Sequence, residues 1–250
     1  MRMSRTFTAA LLLVVFGVFA AGCGGGGDNQ TQTTQETAEE TQQVEATGSL
    51  SATVNFDGIA PEPKTHDASG NSECGVDEIK GKSVVVNDNG TLKNVVVAVK
   101  SAPTSIDQSV EAPTVDQTDC QYKPHVSIIK SGQKVTVTDQ DQGLHNIRGT
   151  RDGRQLFNEQ TFKGQSKEIE IGNGGVVSLE CDVHPWMQAY LYVTENGAAA
   201  VTGSEGSASL SELPAGDYTL VFWHEKYGKK TKKVTIKEDE EASVSVTFSA

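Results

Sequence analysis

Cys181-Asp182-Val183-His184-Pro185-Trp186-Met187 sets a thiolate, an imidazole and a thioether in one short run. On either side, residues 176–179 and 190–194 alternate apolar and polar side chains, the period of half-buried strands. The run therefore reads as a loop joining two strands, with Pro185 stiffening its centre. Three soft donors on one loop have nearly fixed mutual distances. A fourth donor, His145 in Gly143-Leu144-His145-Asn146-Ile147, has to arrive from a neighbouring strand.

Working outward, the period stays at 2 from Ser49 onward. Ser51-Ala52-Thr53-Val54-Asn55-Phe56 alternates, and residues 83–86 and 94–99 are β-branched runs. Residues 126–129, 134–138 and 167–171 follow the same habit. Turn pairs separate them at Asp57-Gly58, Asn89-Gly90, Ser131-Gly132, Asp152-Gly153 and Asn173-Gly174-Gly175. Short strands with such punctuation predict an all-β sandwich, and no stretch shows amphipathic helix spacing.

A second unit is expected near Gly197. Residues 199–203 and 206–210 lead into Leu213-Pro214-Ala215-Gly216-Asp217-Tyr218-Thr219-Leu220, and residues 232–237 and 242–248 alternate again. This stretch resembles carboxypeptidase-regulatory-like, prealbumin-like sandwiches, with Ala208 where those usually carry an aromatic residue. The resemblance implies a structural or adhesive module without catalysis of its own.

Two His, one Cys and a weak axial Met form the trigonal donor set of a blue-copper centre. Met187 is the only methionine outside the first few residues, which makes its place beside Cys181 and His184 informative. A structural Cys near a surface His would account for Cys181 and His184, but not for Met187 and His145-Asn146 as well. Zinc is disfavoured, because Met is a poor zinc ligand and copper(II) outcompetes zinc at such donors.

Residues 122–194 are similar to cupredoxins of the plastocyanin and amicyanin kind, the Cys-x2-His-x2-Met loop having the short amicyanin-like length. The resemblance implies a cupredoxin Greek-key β-sandwich holding one type 1 copper through His145, Cys181, His184 and Met187. It further implies that Asn146 secures the ligand loop by hydrogen bonding. Trp186 would lie beside the edge of His184 at the surface, where partners of cupredoxins dock. The chain from residue 49 also looks like exported plastocyanin-like proteins that end in a regulatory-like sandwich.

The start of the chain reads as an export signal. Arg2 and Arg5 precede an apolar run at residues 9–21, and Ala20-Ala21-Gly22-Cys23 resembles a bacterial lipobox with acylated Cys23. An ordinary signal peptide with an incidental Cys is the plainer alternative. Residues 28–47 are nearly all Gln, Thr, Glu and Ala, a composition too polar to fold. The expected organisation is thus a signal at 1–22, a tether at 23–48, a cupredoxin domain with an N-terminal β extension at 49–195, and the smaller sandwich at 196–250.

With Cys23 assigned to lipid and Cys181 to metal, Cys74 and Cys120 remain, and export favours a disulfide between them. A second soft-metal site using Cys120 and His125, with His66, is the competing reading. His66, His125 and His224 otherwise read as solvated or structural, His224 packing within the C-terminal sandwich. The formal charge of −12 excludes nucleic acid as a natural partner. Lys226, Lys229, Lys230, Lys232, Lys233 and Lys237 form a basic cluster in an acidic chain, read as protection of an edge strand, with a docking surface for an acidic partner as the alternative.

The expectation is a non-enzymatic, membrane-anchored carrier of single electrons in a bacterial cell envelope, facing the periplasm or the exterior. Its partners would be extracytoplasmic redox proteins, a cytochrome or a copper oxidoreductase, with the membrane engaged through the N-terminal lipid. Copper storage, delivery or resistance is the first rival, although such proteins use Met-rich or His-rich tracts. The second is a surface interaction protein using the fold structurally, for which a degenerate ligand set would be expected.

Overall fold

The computed structural model describes residues 47–250; the expected signal, the lipidated Cys23 and nearly all of the tether lie outside the described residues. The described residues form one compact unit. The chain enters through β1 (Thr47–Asp57), β2 (Thr65–Asp67), a single 3-10 turn (Ser72–Cys74) and β3 (Glu78–Lys80). Next come β4 (Val96–Ser101), β5 (Thr114–Thr118), β6 (Gln121–Lys123), β7 (Val126–Lys130) and β8 (Lys134–Asp139). The middle of the chain supplies β9 (His145–Arg151), β10 (Arg154–Thr161), β11 (Ser166–Glu170), β12 (Gly175–Glu180) and β13 (Gln188–Thr194). The last strands are β14 (Ala199–Val201), β15 (Ser207–Pro214), β16 (Gly216–His224), β17 (Gly228–Ile236) and β18 (Glu241–Ser249).

The architecture is an all-β pair of sandwiches. In the first, the sheet β10-β9-β12-β13-β7 faces the sheet β11-β8-β5-β6. Between them lies a core that includes Val115, Val135, Val137, Ile147, Val177, Leu179 and Leu191, together with Cys181 and Met187. In the second, β15-β1-β18 faces β14-β4-β16-β17 over Leu50, Val97, Tyr218, Phe222 and Phe248. The alternation read in residues 51–56 is the inward set Leu50, Ala52 and Val54 of β1.

The expected boundary at residue 195/196 does not separate these sandwiches. β1 runs antiparallel to β15 and parallel to β18, filling the centre of a sheet whose other strands come from the chain's end. β4 likewise sits between β14 and β16. Without β1 and β4, both sheets would expose unpaired backbone to solvent. The second sandwich is therefore built from both ends of the described chain.

β4 also explains its own unbroken run of apolar residues. Val97 and Val99 face the core of the second sandwich, while Val96 and Ala98 join Val221, Trp223 and Val126 in a cluster against the first. A strand buried on both faces loses the alternation of a half-solvated one. Residues 83–86, expected as a strand, form only an isolated bridge, Val86 to Leu92, around the Asn89-Gly90 bend. The lysine-rich β17 is an edge strand with a largely exposed face, as edge protection requires.

Candidate metal centre

The ligand loop spans β12 and β13, neighbours in one sheet, so its ends are fixed by the ladder Glu180↔Gln188. β9 lies on the other side of β12, paired through Arg148↔Glu180. That pairing carries His145, the first residue of β9, to the same end of the sheet as Cys181. Nδ1 of His145 lies 3.2 Å from Nδ1 of His184. One donor atom each from His145, Cys181 and His184 falls within 4.8 Å of the others, and all three residues are buried. Cys181 is the free cysteine of the described residues.

Met187 is buried beside this trio, and its N–H donates to the carbonyl of His184 at 2.9 Å, closing the turn through Pro185 and Trp186. Asn146 uses its whole amide on the loop. Its Oδ1 accepts the N–H of Asp182 at 2.7 Å and the thiol of Cys181 at 3.4 Å. Its Nδ2 donates to Asp182 at 2.9 Å and Asn158 at 2.8 Å, while Tyr122 donates to the Asn146 carbonyl. Asp182 is clamped from outside by Arg148 at 2.8 Å and by Asn158. Hydrogen bonding from Arg148 and then Asn158 holds its carboxyl below the usual carboxylate range.

Electrostatics make the Cys181 sulfur easier to deprotonate. Burial pushes the Cys181 thiol up, but hydrogen bonds from His145 and from the loop backbone outweigh it and bring it below an ordinary thiol. Burial alone would push His145 down; Cys181, Asp139 and Asp141 more than compensate, and its pKa is raised. His184 is lowered, by burial first and then by His145. With Nδ1 facing Nδ1, only one proton fits between the rings.

Two acidic residues not recognised in the sequence touch the imidazoles on their far sides. Asp141 Oδ2 lies 3.2 Å from Nε2 of His145, outside hydrogen-bond alignment, and accepts the N–H of Cys120 at 2.8 Å. Glu73 Oε1 lies 3.6 Å from Nε2 of His184. Each carboxylate places negative charge beside the Nε2 of its imidazole, and both act to raise the pKa of the ring they face. Asp141 stands four residues before His145 in the sequence, a proximity that could have flagged it. Nothing local marks Glu73.

The structure differs from expectation at the outer edge of His184. That ring is buried, beneath a cap formed by β2, the Ser72–Cys74 turn and β3. Ala68, Cys74 and Ile79 of the cap enter the core of the first sandwich, and Cys74 is disulfide-bonded to Cys120. Cys120 Sγ approaches Nε2 of His184 to 3.9 Å. Gly143 admits the cap, since a Cβ there would come within 2.6 Å of Glu73 Cγ. Trp186 does lie beside His184, at 5.4 Å between ring centres with the planes tilted by 46°, but it is half-buried. It also meets the His66 ring at 5.9 Å, and its indole N–H is spent on the Cys120 carbonyl. Trp186 is thus part of the packing under the cap.

The disulfide removes Cys120 from the alternative site with His125 and His66. His125 instead pairs with Glu225, both buried, joining the two sandwiches next to Tyr190 and Trp223.

No family model matches the chain, and no curated protein does. Among solved structures, the chain is similar to a purple cupredoxin from Nitrosopumilus maritimus at 26% identity and TM-score 0.31, over 34% of this chain and 100% of that one. It is similar to amicyanin from Paracoccus versutus at 21% identity and TM-score 0.31, over 39% and 97%. A copper-containing nitrite reductase from Thermus scotoductus aligns at 18% identity and TM-score 0.32, over 39% of this chain and 25% of that one.

Proposed function

We propose that this protein holds one type 1 copper ion at His145, Cys181, His184 and Met187 and carries single electrons outside the cytoplasm. The carrying observation is that His145 and His184, whose Nδ1 atoms lie 3.2 Å apart, each bring a donor nitrogen within 4.8 Å of the buried free sulfur of Cys181. Two nitrogens, a thiolate and an adjacent thioether suit both oxidation states of copper, and a bound copper ion would supply the one-electron couple. The residues do the rest. Asn146, Asp182 and Arg148 fix the loop, Asp141 and Glu73 set negative charge beside the imidazoles, and the cap keeps water from His184. A site held this rigidly changes little between oxidation states, which is the requirement for fast exchange.

The same burial speaks against storage or delivery, where donors must be reached by an exchanging partner. Docking of a redox protein, a cytochrome or a copper oxidoreductase, is assigned to another face than the one expected for Trp186. Leu144, Val183 and Phe162 stand exposed; the first two adjoin His145 and His184, and the third follows Thr161, the strand partner of His145. Exposed apolar side chains grouped at one end mark an interaction surface. Attachment through a lipidated Cys23, export to the cell envelope, and a regulatory-like scaffold role for the second sandwich complete the reading. X-ray absorption of the copper-loaded protein tests it: one sulfur and two imidazole nitrogens are expected around the metal, and an all-nitrogen-and-oxygen shell would overturn it.

A further inference from the structure

Beside Trp186, the hairpin β2–β3 and the segment after it border a cleft of about 190 Å³. Lys64, Lys80, Lys82 and His66 line it, together with Trp186 and Gln121. No aspartate or glutamate lines it, in a chain with 33 acidic and 21 basic residues. The fold itself gathers the lysines: Thr65 pairs with Lys80, and the N–H of Gly81 donates to the Lys64 carbonyl at 2.8 Å. None of the three has an ion-pair partner among the described residues. Asp119, the acidic group acting on Lys82, is already bound to Lys123 at 2.7 Å. Burial, and then the charges of Lys123 and Lys93, hold the Lys82 ammonium below its ordinary pKa.

We infer that this cleft, beside Trp186, binds a small, multiply charged anion of the carboxylate or phosphate class, held by Lys64, Lys80 and Lys82. Lysines that line one cleft without ion-pair partners are relieved by an anion, and bonds to charged groups are the strong ones. A volume below that of drug-sized pockets selects a compact ligand. The inference does not depend on a metal.

The test uses the purified full chain, titrated with inorganic phosphate and with succinate at constant ionic strength, followed by calorimetry and by the two indole N–H resonances. Saturable one-to-one binding is expected, moving the Trp186 indole signal and leaving that of Trp223 in place. The variant Lys64→Gln/Lys80→Gln/Lys82→Gln should bind at least about tenfold more weakly, the size of one lost charge-assisted hydrogen bond. The control variant Lys229→Gln/Lys232→Gln/Lys233→Gln on β17 should bind as the unmutated protein does. Unsaturable binding, or equal weakening in both variants, would reduce the effect to general charge attraction and overturn the site. Binding of a glutamate-rich peptide without phosphate or succinate would also overturn it, assigning the cleft to an acidic protein segment.

Discussion

Oε1 of Glu73 lies 3.6 Å from Nε2 of His184, across the seam between the cap and the ligand loop. The cap reaches that position because Cys74, the next residue, is bonded to Cys120. Replacing both cysteines by serine should release the cap. With a sequence separation of 46, the chain-entropy estimate puts the loss at up to about 4 kcal/mol. Urea unfolding measures it, and hydrogen exchange should rise at residues 65–82 while β9 and β12 stay protected. Unchanged exchange in the cap would show that Ala68 and Ile79 hold it without the disulfide.

Asn146 spends every polar atom of its side chain on the ligand loop. Asn146→Ala should weaken copper binding about 10- to 100-fold, the usual cost of losing a group that orients metal ligands. Competition with a chelator reads this directly. Copper affinity equal to that of the unmutated protein would show that the loop is pre-set by its strands alone.

The exposed patch beside the ligands gives a kinetic prediction. Val183→Ser and Leu144→Ser should slow electron exchange with a soluble redox protein several-fold while leaving the copper potential in place. If Trp186→Ala slows exchange and the patch variants do not, docking belongs to the cap side.

His224 is buried and stacked on Tyr227 at 5.0 Å, and its Nδ1 accepts the N–H of Lys226. Burial pushes its pKa down to about 4, with Glu225 acting upward and His125 downward. Above pH 6.5 the ring is neutral in folded and unfolded chains, and its contribution to stability is complete. As pH falls from 6.5 towards 4, the unfolded chain takes up a proton that the folded chain refuses. Stability should then decline by about 2–3 kcal/mol. His224→Gln should flatten this part of the unfolding curve; an equally steep decline in the variant would contradict it.

Much of this was legible in the sequence, for physical reasons that differ by element. β1, β8 and β18 are half-buried strands, and their period-2 patterns survive in the fold. The loop 181–187 was legible because its donors are local. What escaped depends on long-range pairing. Nothing in residues 47–57 says that they lie between two strands from the far end of the chain. Glu73, too, meets His184 only through a disulfide and a glycine gap at Gly143. Exposure of the His184 edge was misjudged on the same ground, since the cap covering it precedes the sandwich it covers.

The measurement that bears most directly on the central claim is the visible spectrum of the protein titrated with copper(II). One equivalent should produce an intense sulfur-to-copper charge-transfer band that saturates at one-to-one. The band should vanish in Cys181→Ser while the metal-free fold is retained. A colourless one-to-one complex of the unmutated protein, or a band that persists without the Cys181 sulfur, would contradict the account.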